Sequence, residues 1–158
     1  MAEMTHIGPD GRVRMVDVTD KQPTDRVAIA SGRIRMSQEA LEIALSGGVG
    51  KGDPVAVAEL AGIMAAKRTA DLIPLCHPLP ISGCKVEITP TEDGFSVSAR
   101  VKTTGRTGVE MEALTAVSGA CLTLYDMLKA VDKGVVIETI RLKEKSGGAS
   151  GDFKAAEL

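Results

Sequence analysis

A cysteine and a histidine stand side by side in Asp71-Leu-Ile-Pro-Leu-Cys-His-Pro-Leu-Pro80, and three readings compete for them. Zinc is the first. Adjacent ligands begin a tetrahedral site badly, no Cys-x-x-Cys or His-x-x-x-His pattern accompanies them, and Cys84 and Cys121 fall on expected sheet and helix faces. No metal is expected. The second is a Cys76 nucleophile with His77 as its base, but neighbouring side chains in extended backbone point to opposite sides, which places His77 badly for that task. Alternation instead buries Cys76 and aims His77 elsewhere, as either a structural or a working imidazole.

Other residues point to anion chemistry. The loop Ser46-Gly-Gly-Val-Gly-Lys-Gly52 resembles a phosphate-binding loop but fails its pattern, because Leu45 stands where the first glycine belongs, Gly52 ends it, and a helix precedes it. Lys51 remains either a mobile ammonium able to reach an anion or a solvated loop lysine. In Lys143-Glu-Lys-Ser-Gly-Gly-Ala-Ser-Gly-Asp152, successive Gly and Ser amides can fold into an anion-binding nest beside Lys143 and Lys145; a disordered tail is the alternative. Lys67-Arg68 and Thr103-Thr-Gly-Arg-Thr-Gly108 add cations at the ends of elements. With a net charge of −2, basic residues gathered at glycine-rich turns fit a local polyanion site, such as one for a nucleoside polyphosphate, better than a basic surface. Asp126 and Lys129, three apart on a helix, are either a surface ion pair or, at a subunit seam, a general acid–base unit.

The elements that must carry these groups can be read along the chain. Its 158 residues suit one domain with its own core, and no apolar run approaches the roughly 20 residues needed to span a bilayer. The start lacks the apolar stretch of a secretory signal, so the cytoplasm is expected. Phe95, Phe153 and Tyr125 are the only large rings, which makes the core aliphatic and a base-stacking RNA surface unlikely; no nucleic-acid or membrane partner is expected. Residues 1–24 read as an arm, 25–145 as a single catalytic domain, and 146–158 as a Gly-rich tail contributing to the site. Within the domain, Arg26 to Met36 suits a strand. Ser37 caps a helix that Gly47-Gly48 ends, and Asp53-Pro54 opens a second. Lys85–Thr89 and Phe95–Lys102 form a hairpin around the turn 91–94, a long helix runs from about Val109 to Val131, and Val135–Leu142 is the last strand. This βαββαβ order predicts an α+β, ferredoxin-like antiparallel sheet with its helices on one face.

At about 100° per residue, the long helix aligns Leu114, Val117, Cys121, Leu124, Leu128 and Val131 on a stripe that should cover the sheet. The opposite side holds Ala116, Gly119, Thr123 and Ala130, with Glu112 and Asp126 beside them. A second face of small residues implies close approach by another element. We expect a subunit interface there, with Glu112 and Asp126 at its seam; a buried contact within the chain is the alternative.

Three stretches, KRTADLIPLCHPLPI, TGRTGVEMEALTAVSGACLTLYDMLKAVDKG and EKSGGASGDF, in that order and spacing, resemble the MoaC family of molybdenum-cofactor biosynthesis, the cyclic pyranopterin monophosphate synthases. The resemblance runs from about Thr5 through Phe153. It implies a ferredoxin-like homo-hexamer, a trimer of dimers, with active sites between subunits. The implied reaction converts 3′,8-cyclo-7,8-dihydro-GTP, supplied from GTP by a radical-SAM cyclase, into cyclic pyranopterin monophosphate and pyrophosphate, a lyase step without metal or cofactor. Carried over motif by motif, it implies catalytic roles for Asp126, Lys129 and Lys51, with Asp126 and Lys129 as the acid–base pair and Lys51 as a general acid or triphosphate ligand. Lys145 shares that last alternative. Arg26, Lys67, His77, Glu110, Glu112 and Lys145 are the implied substrate-binding residues, His77 and Glu112 orienting the substrate. One departure stands out, since Ala149 occupies the position of the second lysine in the family's usual KSGGKSGDF tail. Two rival functions are weighed beside the enzyme. A non-catalytic regulator binding an anion between subunits would not need acid–base residues in its seam, and a hexameric scaffold would not need the pocket.

Overall fold

The computed structural model describes residues 5–47 and 52–156. Strand β1 spans Thr24–Arg35, and its alternation buries Ala28, Ala30, Gly32 and Ile34 on one face. Helix α1, Gln38–Leu45, starts where the Ser37 hydroxyl accepts the Ala40 amide N–H. Helix α2, Pro54–Lys67, has Asp53 as its cap, accepting from the amides of Val55 and Ala56, with Pro54 in the first helical position. A single helical turn, α3, covers Thr69–Leu72. The hairpin follows as β2, Ile81–Thr91, and β3, Gly94–Gly105; the long helix α4 is Glu110–Leu128 and β4 is Val136–Ser146. Two tail residues, Phe153–Lys154, add a short strand β5 that the sequence pattern does not signal.

All five strands pair antiparallel in the order β2-β3-β1-β4-β5. Without β5 this is the split-βαβ arrangement, so the fold is α+β and ferredoxin-like as expected. α4 packs on β1, β3 and β4, while α2 packs on β2 and on α4. Phe95, Ile34, Val97, Val101, Val117, Leu124 and Leu128 lie fully buried between these layers. Contact is close enough that a Cβ at Gly32 would stand 2.6 Å from Val117 Cγ1.

The expected stripe of α4 does face the sheet, with Val117, Cys121, Leu124 and Leu128 buried. On its small-residue face, Ala116 and Gly119 follow the alternative reading, a buried contact within the chain. Ala116 is fully buried, and a Cβ added at Gly62 of α2 would come within 2.9 Å of the Ala116 carbonyl oxygen. At Gly119 it would meet Ala65 Cβ at 2.6 Å. Ala116 and Gly119 therefore admit α2 of the same chain, whereas Thr123 is half-buried and Ala130 is exposed. Glu112 is buried within the protomer.

Candidate active site

Four segments distant in sequence meet at one end of the sheet. Arg26 lies near the start of β1, opposite Thr103 of β3, and Val27 lies opposite Ser146 of β4. Arg26 Nε donates to the Gly105 carbonyl at 3.0 Å, which ties the guanidinium to the turn leading into α4. No side chain hydrogen-bonds across the α4 N-terminus from its cap, Val109, and the positive end of that helix opens here. From β4, Lys145 Nζ reaches Glu110 Oε1 at 3.0 Å and Ser150 Oγ at 3.1 Å.

The tail closes over this group because two glycines let it. Gly147 and Gly148 have φ of 89° and 85°, a region L side chains rarely enter. A Cβ at Gly147 would stand 2.0 Å from the Asp25 carbonyl oxygen, and one at Gly148 would stand 2.1 Å from Arg26 Nη1. Asp152 then accepts the Gly147 amide N–H at 3.2 Å, and β5 pairs with β4 just beyond. The tail is thus an ordered loop wrapped around Arg26.

These segments enclose a cleft of about 420 Å³ whose charged lining residues are Lys21, Arg26, Arg106, Lys145 and Glu110. Glu110 is already paired with Lys145, so cationic charge dominates and the cleft suits a polyanion. Ala149 also lines it, placing the departure from the family's usual tail on the cleft wall.

A second cleft, of about 410 Å³, adjoins the first and shares Lys21, Thr107, Gly108 and Glu110 with it. Leu75, Leu79, Val16, Val18 and Met111 give it apolar walls, and His6, Cys76, His77 and Glu112 supply polar groups. Glu112 is 3% exposed. Burial, opposed by a hydrogen bond from its own amide and reinforced by the charge of Glu110, pushes its carboxyl up to about 7. It can therefore hold or release a proton near neutrality.

Cys76 departs from expectation, being half-buried and facing the same cleft as His77. Strict alternation does not apply because the α3 turn and the bend after it break the extended backbone. Burial, then the charge of Glu112, raises the Cys76 thiol, which makes it a poor nucleophile. Among the described residues no group of three or more His, Cys, Asp and Glu side chains is placed to hold a metal ion.

Arg26, Glu110, Glu112, His77 and Lys145 are thus brought together, while the remaining candidates lie elsewhere. Asp126 and Lys129 form an ion pair of 2.6 Å at the far end of α4, with side chains 63% and 55% exposed. Sixteen residues of helix separate Asp126 from Glu110, about 24 Å at 1.5 Å per residue. Lys67, exposed at the end of α2, lines neither cleft. Lys51 lies outside the described residues. The sequence reading missed Lys21 and His6, which the N-terminal arm brings into the cleft walls; Arg106, read as a cation of the 103–108 turn, lines the first cleft.

The model of the MoaC family matches residues 15–148. The chain belongs to the MoaC family. Its relatives include the cyclic pyranopterin monophosphate synthase of Dinoroseobacter shibae, 58% identical over 98% of this chain and 99% of the relative. Enzymes of the same name from Novosphingobium aromaticivorans and Thermomicrobium roseum are 58% and 55% identical, over 99% and 98% of this chain and 100% and 94% of theirs. The matched span includes most of the lining of the two clefts, from Val16 and Lys21 in the arm to Gly147 in the tail; Thr5, His6, Ala149 and Ser150 lie outside it. No helix among the described residues is long and apolar enough to cross a membrane.

Proposed function

We propose that this member of the MoaC family is a cyclic pyranopterin monophosphate synthase, a lyase that converts 3′,8-cyclo-7,8-dihydro-GTP into cyclic pyranopterin monophosphate and pyrophosphate. The observation that carries the reading is the pair of adjoining clefts, one cationic and one apolar with a histidine and a buried acid. A substrate with a triphosphate at one end and a purine-derived ring at the other needs that division. The first cleft holds the phosphates through Arg26 and Lys145, and the second holds the rings beside His77 and Glu112.

The chemistry has two parts. The ring system is opened and rebuilt as a pterin, which requires protons to be delivered and removed in turn. An oxygen of the substrate then attacks the phosphorus next to the sugar, closing the cyclic phosphate as the bond to pyrophosphate breaks. Cations around the departing pyrophosphate stabilise the charge that develops on it. A carboxyl that titrates near 7 exchanges protons at little cost near neutral pH.

The acid–base pair Asp126 and Lys129 enters from a second subunit in this reading. A trimer of dimers, implied by the family resemblance, would set the exposed end of one α4 at the clefts of a neighbour. Exposed Val57, Leu60 and Met64, one stripe along α2, are apolar surface suited to burial in such an assembly. Lys51 and Lys67 would act beside that pair as further cations, within a cytoplasmic pathway fed by a radical-SAM cyclase.

The test is a coupled reaction with that cyclase and GTP, following the pterin product and pyrophosphate with and without this protein. Both products should appear in equal amounts only when it is present. Consumption of the cyclised nucleotide without pyrophosphate would rule the assignment out.

A further inference from the structure

We propose that Arg106 is a positioning residue that latches the N-terminal arm, residues 5–21, across the site, so that Lys21 binds the polyphosphate end of the substrate. The proposal rests on the functional reading just given and adds two residues to it.

Among the described residues the arm has one hydrogen bond to the body, beside an attraction between Asp17 and His77. Its other hydrogen bonds are local, among them Gly8 with Arg12, Arg14 with His6, Lys21 with Val18 and Thr19 with Asp17. Among the described residues, the only hydrogen bond between the arm and the rest of the chain runs from Arg106 Nη1 to the Thr19 carbonyl, at 2.8 Å. The latch lies two residues from Lys21, in a turn closed by its own hydrogen bonds. The Lys21 amide donates to the Val18 carbonyl at 3.1 Å, and the Asp17 carboxylate accepts from the Thr19 amide at 2.9 Å and its hydroxyl at 2.6 Å. Holding Thr19 therefore holds Lys21.

Charge gives the latch a consequence. Lys21 is exposed and lines the cleft with Arg26, Arg106 and Lys145, with Glu110 as the single carboxylate on the lining and already paired. An empty cleft repels Lys21, and a bound polyanion reverses the sign. Occupancy by phosphate should therefore tighten the arm, and with it the Val16 and Val18 wall of the second cleft. A segment with one directed tether has low local stability until something else fastens it.

The experiment uses the full chain and inorganic pyrophosphate as the probe, with hydrogen exchange of residues 15–21 and pyrophosphate titrations as readouts. Saturating pyrophosphate should slow exchange of those amides by about tenfold in the unaltered protein. Arg106→Gln should remove that protection although pyrophosphate still binds through Arg26 and Lys145, and Arg106→Lys, which keeps a donor, should restore part of it. Lys21→Ala should weaken pyrophosphate binding about tenfold by itself but less than about threefold on the Arg106→Gln background, because unlatched Lys21 is already lost to the site. Equal costs of Lys21→Ala on both backgrounds, or unchanged arm protection in Arg106→Gln, would overturn the latch. Substrate turnover is scored separately: turnover with these tests failed refutes the latch alone, and tests passed without turnover refute the functional reading alone.

Discussion

Replacing Glu112 by Gln isolates the buried acid. Gln keeps the shape, and its carbonyl oxygen can still accept the residue's own amide N–H, but it carries no charge at any pH. In the unaltered protein the carboxyl titrates at about 7 when folded, against an ordinary value of 4.5. Between those values the native state holds a proton that the unfolded chain has released, so stability falls as pH rises through the window. The contribution is fully present below about 4.5 and lost above about 7. That interval sets an upper figure of about 3 kcal/mol, and because the carboxyl borders an open cleft we discount it to about 2 kcal/mol. Glu112→Gln should therefore match the unaltered protein near pH 4.5 and exceed it by about 2 kcal/mol at pH 8, or about 4–8 °C in Tm for a chain of this size. Thermal denaturation from pH 4.5 to 9, at one protein concentration so that any assembly contributes equally, measures the difference. Parallel curves for the two proteins would refute the reasoning. Turnover should fall in the same variant, separating the acid's service from its cost in stability.

Asp126→Ala and Lys129→Ala should each lower turnover by about 10²-fold or more, while the melting temperature and the assembly size by light scattering stay unchanged, since the pair is exposed within the protomer. Ala149→Lys adds a cation to the cleft wall and should lower the KM for the substrate several-fold at low salt, with the gain shrinking as ionic strength rises. Gly62→Ala should lose about 1–3 kcal/mol in a denaturant titration, because its Cβ meets the Ala116 carbonyl, which as helix backbone cannot swing aside.

Local signals in the sequence were reliable where the physics is local. Ser37, Asp53 and Pro54 marked helix starts because capping depends on neighbours within three residues. The order of elements sufficed for the sheet, since antiparallel pairing with short connections leaves few alternatives. The partner of the small face of α4 was not legible. Small side chains announce close approach, but whether α2 or another subunit makes it depends on how the connection folds back. Cys76 was misread because a period of two presumes unbroken extended backbone. Residues carried over from the family motifs found Arg26, His77, Glu110, Glu112 and Lys145 in or beside the clefts. Lys21 escaped because 85 positions separate it from Arg106, in the turn already read as cationic, and only the tertiary fold joins them to one cavity.

The pairing of β1 between β3 and β4 has a consequence for how the molecule comes into being. β1 is the first strand made, yet both of its neighbours are made later, and the register Val27 to Ser146 closes about three-quarters of the chain. The central strand must wait with both edges open until β3 exists, and with one edge open until β4 does. Long-range pairing of this kind slows folding and leaves unpaired edges exposed meanwhile. Because the tail that wraps Arg26 follows β4, a chain stopped short of Gly147 would reach the sheet without ever assembling the cleft.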